Sequence, residues 1–360
     1  MSGRSLSFHL PNHDSQQVDL VFVVDCTGSM HSYIHRIKNR IIYIANSIKR
    51  FAFNVRLALV EYRDHPPEDE TFVSRVHGFT SYNEQQVTAW VEGMAAAGGG
   101  DLPDAVTAGL YAALNLSFRN VATKICFWIG DAPPHGLLPE GDNFPQGDPD
   151  GHDPVQICHE MARRGIILYC VGCEPSLVPY REFFMALSHI TGGQYIPLRR
   201  ARLLPQIIVN ATQEEVENEN LMGHVIDHLH LEFARPSGAT IAQLAASLHT
   251  AMSSNNNLTR RVRLNGRDVD EVTPLARQMS YMRTLPQLAQ AMHLQLSEAM
   301  PPRRNELEVI TTVDITSLVV VPERTCERLA RRSMARLDLE ARENEDVEME
   351  VNDVQIDITV

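Results

Sequence analysis

Residues 18–30 read Val-Asp-Leu-Val-Phe-Val-Val-Asp-Cys-Thr-Gly-Ser-Met, and this stretch decides the fold. Its first seven residues are almost all β-branched, aliphatic or aromatic, which is typical of a central parallel strand that is covered on both faces. The run ends at Asp25, and a helix is predicted to begin near Met30. The sequence therefore predicts a buried strand, residues 18–24, that carries an acidic loop to one edge of a sheet.

The loop after this strand has oxygen-bearing side chains at alternate positions. Asp25, Thr27 and Ser29 are separated from one another by single residues, so a tight loop can direct all three side chains at one point. A carboxylate and two hydroxyls are hard oxygen donors of the kind that Mg²⁺ binds, at about 2.0–2.1 Å. The alternative is that Thr27 or Ser29 only caps the helix that follows.

Two later stretches add acidic residues at positions that could join this loop. Residues 98–105, Gly-Gly-Gly-Asp-Leu-Pro-Asp-Ala, place Asp101 after three glycines and just before a predicted helix. Residues 125–131, Ile-Cys-Phe-Trp-Ile-Gly-Asp, predict a second buried strand, which ends at Asp131. In an open sheet of alternating strands and helices, ligands bind beyond the carboxyl ends of the strands. If their strands are neighbours, Asp25 and Asp131 face one crevice.

Together, the three stretches resemble the metal-ion-dependent adhesion site of the von Willebrand factor type A family. The motifs D-C-T-G-S-M, G-G-G-D-x-P-D-A and D-A-P-P-H-G are similar to those of hemicentins and of the A domains attached to alpha-kinases. The resemblance covers roughly residues 15–220. It implies an α/β fold with a doubly wound, mostly parallel sheet, one antiparallel edge strand, and a site for Mg²⁺ or Mn²⁺.

The resemblance also implies roles for individual residues. It assigns Asp25, Thr27 and Ser29 to the first loop of the metal site and Asp131 to the third. In the second loop, Asp101 stands where many members of the family have Thr, and it is the candidate ligand there. Whether Asp101 contacts the metal directly stays open.

The order of predicted elements divides the chain into four parts. We expect a loose N-terminus over residues 1–14, a type A domain over 15–223, a C-terminal region over 224–342 and an acidic tail over 343–360. Within the type A domain, one long helix is predicted over 30–50 and an antiparallel edge strand over 72–79. The C-terminal region is expected to be smaller, and either α+β or mainly helical.

Several features of the C-terminal region have their own predictions. Residues 228–233 alternate His and Leu and predict a strand, and Asn265-Gly266 predicts a hairpin turn. A set of basic residues on a late helix predicts a solvated face, namely Arg328, Arg331, Arg332 and Arg336.

The loop over residues 132–153 is unusually long for a connection between a strand and a helix. One interpretation is a rim above the metal that shapes the choice of partner. A second metal site formed by His135, His152 and Asp153 is less favoured. The remaining alternative is a solvated, turn-rich loop in which Asp153 caps the next helix.

Composition excludes some classes of function. The chain has 32 Lys and Arg against 45 Asp and Glu, for a formal net charge of −13, which argues against a basic nucleic-acid-binding face. We expect no secretory signal at the N-terminus and no apolar run long enough to cross a bilayer. The Cys170-x-x-Cys173 pair lacks the second pair of a zinc site, so both are interpreted as structural. The expected location is the cytoplasm.

The sequence favours a metal-dependent protein-binding module, without enzymatic activity, that engages an Asp or Glu of a partner protein. Two alternatives remain. One is a scaffold whose C-terminal region binds partners while the metal is incidental. The other is a Mg²⁺-dependent or kinase-associated enzyme, which is less favoured because no phosphate loop, His-Glu-x-x-His or Gly-x-Ser-x-Gly motif is present.

Overall fold

A computed structural model describes residues 14–38, 40–81, 83–137, 141–233, 239–269, 271–297 and 310–337. The predictions for the N-terminus before residue 14 and for the acidic tail over 343–360 lie outside these described residues. Within them, no helix is both long enough and apolar enough to span a lipid bilayer.

The centre of the molecule is a six-stranded sheet in the order β3-β2-β1-β4-β5-β6. Its strands are β1 (Asp14–Asp25), β2 (Asn54–Tyr62), β3 (Ser74–Ser81), β4 (Ala122–Gly130), β5 (Ile166–Cys173) and β6 (Tyr195–Leu198). Neighbouring strands are parallel except for β3, which is antiparallel to β2 at the edge. The predicted fold class, a doubly wound sheet with one antiparallel edge strand, is confirmed.

Helices cover both faces of this sheet. They are α1 (His31–Lys38), α2 (Ile41–Ile48), α3 (Glu84–Gly93), α4 (Val106–Leu114), α5 (Pro154–Arg163), α6 (Arg181–Ile190) and α7 (Leu204–Asn220). Because side chains alternate along β1, Phe22 and Val24 point into a core with α1, α2, α3 and α7, whereas Val21 and Val23 point into a core with α4, α5 and α6. The strand is therefore buried on both sides, as its composition predicts.

The single long helix predicted over residues 30–50 is wrong. The structure has a 3₁₀ turn over Gly28–Met30, then α1, and then a new start at α2. Arg40, with φ −129°, lies outside the helical region of backbone conformation and separates α1 from α2.

The C-terminal region is mainly helical, with small antiparallel sheets. It contains α8 (Met222–Phe233), α9 (Ile241–Ser254), α10 (Pro274–Met279), α11 (Leu285–Ser297) and α12 (residues 323–337). Its short strands are β7 (Leu258–Thr259), β8 (Val262–Leu264), β9 (Arg267–Asp268), β10 (Val313–Ile315) and β11 (Val319–Val320). They pair in the orders β10-β8-β9 and β11-β7.

One local prediction in this region is confirmed and another is wrong. Asn265 and Gly266, with φ of 50° and 72°, join β8 to β9 in the predicted hairpin. Residues 228–233 are not a strand but the end of α8. Val225 and Leu229, four residues apart on one helix face, pack in a core with α9 and α12, and this packing outweighs the local alternation.

The C-terminal region packs against the sheet domain. Val262 and Val313 belong to one of the two cores beside the sheet, and Met279 and Leu288 belong to the other. The predicted domain boundary at residue 223 falls inside α8. The division of the chain at this point stays a prediction.

The arginines of α12 do not form a solvated face, so that prediction is wrong. Arg328, Arg331 and Arg332 are at most 9 % exposed. Three arginines pair with buried glutamates of α7, in the pairs Arg328 with Glu214 and Glu215, Arg332 with Glu215, and Arg336 with Glu219. Arg331 lies over the ring of Tyr281. These glutamates are more than 100 residues away along the chain, so the pattern of α12 by itself could not reveal them.

Candidate metal site

The site lies where β1 and β4 end side by side. The two strands are parallel neighbours, with Val24 opposite Ile129, and the chain order changes direction between them. Asp25 is the last residue of β1, and Asp131 directly follows β4. The sheet therefore brings both carboxylates to the crevice at its carboxyl edge, where ligands bind in folds of this kind.

The first loop is fixed by hydrogen bonds to one oxygen of Asp25. The backbone N of Thr27 donates to Asp25 Oδ1 over 2.8 Å, and Thr27 Oγ1 donates to the same atom over 2.7 Å. The other oxygen, Asp25 Oδ2, is buried and has no hydrogen-bond partner. A buried carboxylate oxygen without a donor is costly unless a ligand fills the place of the missing partner.

Ser29 connects the first loop to the loop after β4. Ser29 Oγ donates to Asp131 Oδ1 over 2.9 Å and lies 3.2 Å from Thr27 Oγ1. Ser29 is exposed and Asp131 is half-buried, whereas Asp25 is fully buried. The group is therefore closed by the sheet on one side and open to solvent on the other.

The second loop contributes Asp104 rather than Asp101. One carboxylate oxygen each of Asp25, Asp104 and Asp131 lies within 4.8 Å of the others. Asp104 is buried, and its Oδ2 is 3.4 Å from Thr27 Oγ1. Asp101 instead lies with Asp64 and His135, in a separate group.

The sequence analysis chose Asp101 from this loop, whereas the structure places Asp104 of the same loop beside Asp25 and Asp131. Both Asp101 and Asp104 belong to the quoted motif, and the spacing alone does not show which of them turns toward Asp25. Both acids precede α4, which begins at Val106, so neither their spacing nor the start of the helix distinguishes them.

The glycine loop positions the first loop through its backbone. Gly28 N donates to the carbonyl of Gly98 over 3.1 Å, and Ala97 N donates to the carbonyl of Cys26 over 3.0 Å. Gly98 has φ +78°, and a Cβ added there would lie 1.7 Å from Asp69 Oδ2. Only glycine fits this position without a rearrangement.

The carboxylates of the site face one another without a basic partner. Burial and the charge of Asp131 raise the pKa of Asp25 to about 7. Burial and the neighbouring Asp25 raise the pKa of Asp104 well above its ordinary value, and burial also raises the pKa of Asp131. In the part of the chain that the structure describes, no lysine, arginine or histidine forms an ion pair with any of the three. The donor set of carboxylates and hydroxyls, with an unpartnered buried oxygen, fits a hard divalent cation.

The predicted second metal site in the long loop is not assembled. His135 contacts Asp64 and Asp142, and His152 Nδ1 lies 2.9 Å from Asp148 Oδ2. Asp153 accepts hydrogen bonds from the first turn of α5, which makes it the helix cap that the alternative interpretation predicted.

All six cysteines are buried and free, including Cys170 and Cys173 in β5. The structural interpretation of that pair therefore agrees with its placement in the sheet.

Comparison with known proteins finds a family match over part of the chain. A family model described as "von Willebrand factor A domain" matches residues 19–137, which include the second half of β1, all of β4 and the three acids of the site. Residues 19–137 are therefore similar to von Willebrand factor A domains. Domains of this family commonly mediate protein interactions and often bind a divalent metal.

Two curated relatives share part of the chain. A putative ariadne-like RING finger protein of Acanthamoeba polyphaga mimivirus is 28 % identical over 200 residues, which is 53 % of this chain and 19 % of that protein. The alpha-protein kinase vwkA of Dictyostelium discoideum is 32 % identical over 142 residues, which is 38 % of this chain and 22 % of the kinase. The chain thus aligns with only about a fifth of the length of either relative.

Solved structures that resemble part of the chain include a pilus adhesin and a von Willebrand factor type A protein. The pilus adhesin SpaC of Lactobacillus rhamnosus GG, in its open conformation, has a TM-score of 0.41 and 16 % identity, over 56 % of this chain and 30 % of SpaC. A von Willebrand factor type A protein from Catenulispora acidiphila has a TM-score of 0.38 and 14 % identity, over 56 % of this chain and 43 % of that protein.

Proposed function

We propose that this protein is a metal-dependent protein-binding module, in which Mg²⁺ or Mn²⁺ at the carboxyl edge of the sheet engages an Asp or Glu of a partner protein. The oxygens that hold the ion come from Asp25, Thr27, Ser29, Asp104 and Asp131, so Asp104 takes the place that the sequence analysis assigned to Asp101. The observation that carries the proposal is the buried, unpartnered Asp25 Oδ2 within a group of oxygen donors.

Each residue of the site has a task in this proposal. Thr27 holds the Asp25 carboxylate in one orientation through two hydrogen bonds, and Ser29 does the same for Asp131 through one. Because Ser29 is exposed, a partner can approach from that side while the sheet closes the opposite side. The fixed orientations lower the cost of arranging the donors around an ion.

The charges of the site favour firm retention of the ion and modest affinity for the partner. A bound divalent ion would supply a Lewis-acidic position for a carboxylate from outside. Asp25, Asp104 and Asp131 together carry more negative charge than such an ion neutralises. Two opposite charges about 4 Å apart attract by roughly 1 kcal/mol in water and roughly 4 kcal/mol at an effective dielectric constant of 20, and the surplus negative charge reduces that gain.

The experiment selects peptides from a random display library on the full chain in the presence of Mg²⁺. We expect selected peptides to share an acidic residue and to lose binding when EDTA is added or when that residue is changed to its amide. Asp25→Ala and Ser29→Ala in the protein are expected to abolish binding of the same peptides. Ser32→Ala, an exposed serine of α1 one turn away, is the matched control and leaves binding unchanged.

Peptides that stay bound in EDTA and bind Asp25→Ala as well as the wild type would contradict this proposal. That result would favour the alternative in which the C-terminal region binds partners and the metal is incidental. The full chain is needed for both arms, because residues of the C-terminal region such as Val262 and Met279 are part of the cores beside the sheet. A truncated chain would lose packing as well as a binding surface.

We propose no enzymatic activity for this protein. The catalytic name of the Dictyostelium relative belongs to a protein of which this chain covers 22 %. A cytoplasmic location and the rim role of the loop over 132–153 also stay proposals.

A further inference from the structure

A second group of acidic side chains lies beside the first site, where Asp101 was found. One oxygen each of Asp64 and Asp101 and one ring nitrogen of His135 lie within 4.8 Å of one another. Asp64 follows β2, and Asp101 belongs to the loop that also supplies Asp104 to the first site. Two acids three residues apart are thus directed at two different groups.

His135 is held between two carboxylates and is not itself free to bind a ligand. Its Nε2 lies 2.8 Å from Asp64 Oδ1, and its Nδ1 lies 2.8 Å from Asp142 Oδ1. With an acceptor at each ring nitrogen, the imidazole donates two hydrogen bonds and carries a positive charge. It fixes the orientation of Asp64, which also accepts from the backbone N of His65 over 2.7 Å.

The positive charge of His135 does not neutralise the negative charge of the carboxylates around it. Asp64, Asp101 and Asp142 are three carboxylates against one imidazolium, and no lysine or arginine among the described residues pairs with any of them. One carboxylate oxygen of Asp64 and one of Asp101 lie within 4.8 Å of each other. Two negative charges remain in a largely buried place, and this is unfavourable unless a cation joins them.

Asp64 and Asp101 each have one buried carboxylate oxygen without a hydrogen-bond partner. Asp64 is fully buried, and its Oδ2 has no hydrogen-bond partner, although its Oδ1 has two. Asp101 Oδ2 accepts from the backbone N of Asn143 over 2.7 Å, whereas its buried Oδ1 has no partner. Each carboxylate therefore uses one oxygen to fix its position and leaves the other without a donor.

We propose that Asp64 and Asp101 hold a second divalent cation through these two free oxygens, independently of the first site. The donors are hard oxygens, so the ion is of the Mg²⁺, Mn²⁺ or Ca²⁺ class, with water completing its coordination. His135 and Asp142 are positioning residues, because they orient the Asp64 carboxylate and do not contact the ion.

The test counts metal ions bound to the full chain after chelator treatment, by equilibrium dialysis against Mn²⁺ and elemental analysis. We expect two ions per wild-type chain and one ion fewer in Asp101→Asn, which keeps an acceptor for Asn143 N. Asp64→Asn is expected to give the same loss. Glu70→Gln, an exposed acid of the loop after β2 that belongs to none of the acidic groups, is the matched control and retains the wild-type count.

The count separates this proposal from that of the first site. A loss of one ion in Asp101→Asn supports the second site whatever Asp25→Asn does, and a loss in Asp25→Asn supports the first site in the same way. An unchanged count in Asp101→Asn overturns the second site. Asp101 is only half-buried, so its variant is expected to fold, and circular dichroism and thermal melting verify this where Asp64→Asn fails.

The role of His135 is tested separately, by measuring the affinity of each ion in a variant. His135→Gln is expected to weaken the affinity of the second ion by about 10- to 100-fold, as is usual when the partner of a ligand is removed. The affinity of the ion that Asp25→Asn removes is expected to stay unchanged. Equal weakening of both ions would mean that His135 only supports the fold of these loops.

Discussion

Two buried groups of charged side chains, built in opposite ways, lie at different places in this molecule. Between α7 and α12, each glutamate has an arginine partner, as in the pairs of Arg332 with Glu215 and Arg336 with Glu219. At the carboxyl edge of the sheet, Asp25, Asp104 and Asp131 face one another, and the structure describes no basic side chain paired with them. The first group is neutralised by the chain itself, and the second is not.

The pKa values of the two groups move in opposite directions for this reason. Burial alone would raise the pKa of Glu215, but Arg332 and Arg328 lower it below its ordinary value. Burial and a neighbouring carboxylate raise the pKa of Asp25 to about 7. A buried charge with its partner in place belongs to the architecture, whereas buried acids without one indicate a place for a cation from outside.

The largest expected effect comes from breaking the neutralised group. Arg328→Ala leaves Glu214 and Glu215 with less compensation, and Glu214 loses its arginine altogether. We expect the free energy of unfolding to fall by about 3–5 kcal/mol, as for other buried pairs from which one partner is removed. Urea unfolding of the full chain measures this loss.

The control for Arg328→Ala is Arg164→Ala, whose partner Glu160 lies one turn away on a solvent-exposed surface. Removal of that pair is expected to cost less than about 1 kcal/mol. Equal losses in the two variants would mean that the buried arginines contribute no more than a surface pair.

The second-largest effect on stability is expected when an acid is removed from the group that has no basic partners. An acid whose folded-state pKa is raised binds a proton in the folded chain that the unfolded chain has already lost. It therefore destabilises the fold progressively from about pH 4, its unfolded value, to about pH 7, its folded value. Asp25→Asn removes this cost, so the metal-free variant is expected to be more stable than the metal-free wild type above pH 7, by on the order of 4 kcal/mol.

Chemical unfolding in EDTA at several pH values measures this difference, which is expected to shrink toward zero near pH 4. Saturating Mg²⁺ is expected to stabilise the wild type and to leave Asp25→Asn almost unchanged. A stability difference that does not vary with pH would contradict the raised pKa of Asp25.

The smallest effect concerns the backbone that supports the site. Gly98→Ala places a side chain at φ +78° and against Asp69, which is held by hydrogen bonds to Thr71. We expect a loss of about 1–3 kcal/mol in the free energy of unfolding and weaker Mg²⁺ binding. Calorimetric titration of the folded variant measures the second effect.

Gly93→Ala, at the end of α3 in open space, is the matched control. It is expected to be neutral or to stabilise the chain by up to about 1 kcal/mol, with unchanged Mg²⁺ affinity. A Gly98→Ala chain that matches this control in both measurements would show that the glycine loop does not fix the site.

The sequence could predict what depends on short stretches. The composition of β1 showed a strand buried on both faces, and its abrupt end showed where the first acid lies. The Asn265-Gly266 turn is likewise a local signal.

Predictions of secondary structure failed where contacts with residues distant in the sequence decide the conformation. The alternation in residues 228–233 suggested a strand, but packing of Leu229 in a core with α9 and α12 makes it helical.

The candidate metal site also has residues that the sequence could place and one that it could not. Asp25, Thr27, Ser29 and Asp131 could be placed from the ends of two strands, since strand ends and parallel order fix their edge of the sheet. The choice between Asp101 and Asp104 could not be made, because it depends on how the glycine loop turns between Cys26 and Asp69.

The sequence by itself determined the sheet, its order of alternating strands and helices, and the edge at which the acids collect, because periodicity and strand ends are local properties. Only the tertiary structure decided which charges are neutralised. Opposite charges from residues over 100 positions apart meet between α7 and α12, while like charges meet at the sheet edge. Coulomb interactions depend on distance in space, and no local pattern contains that distance.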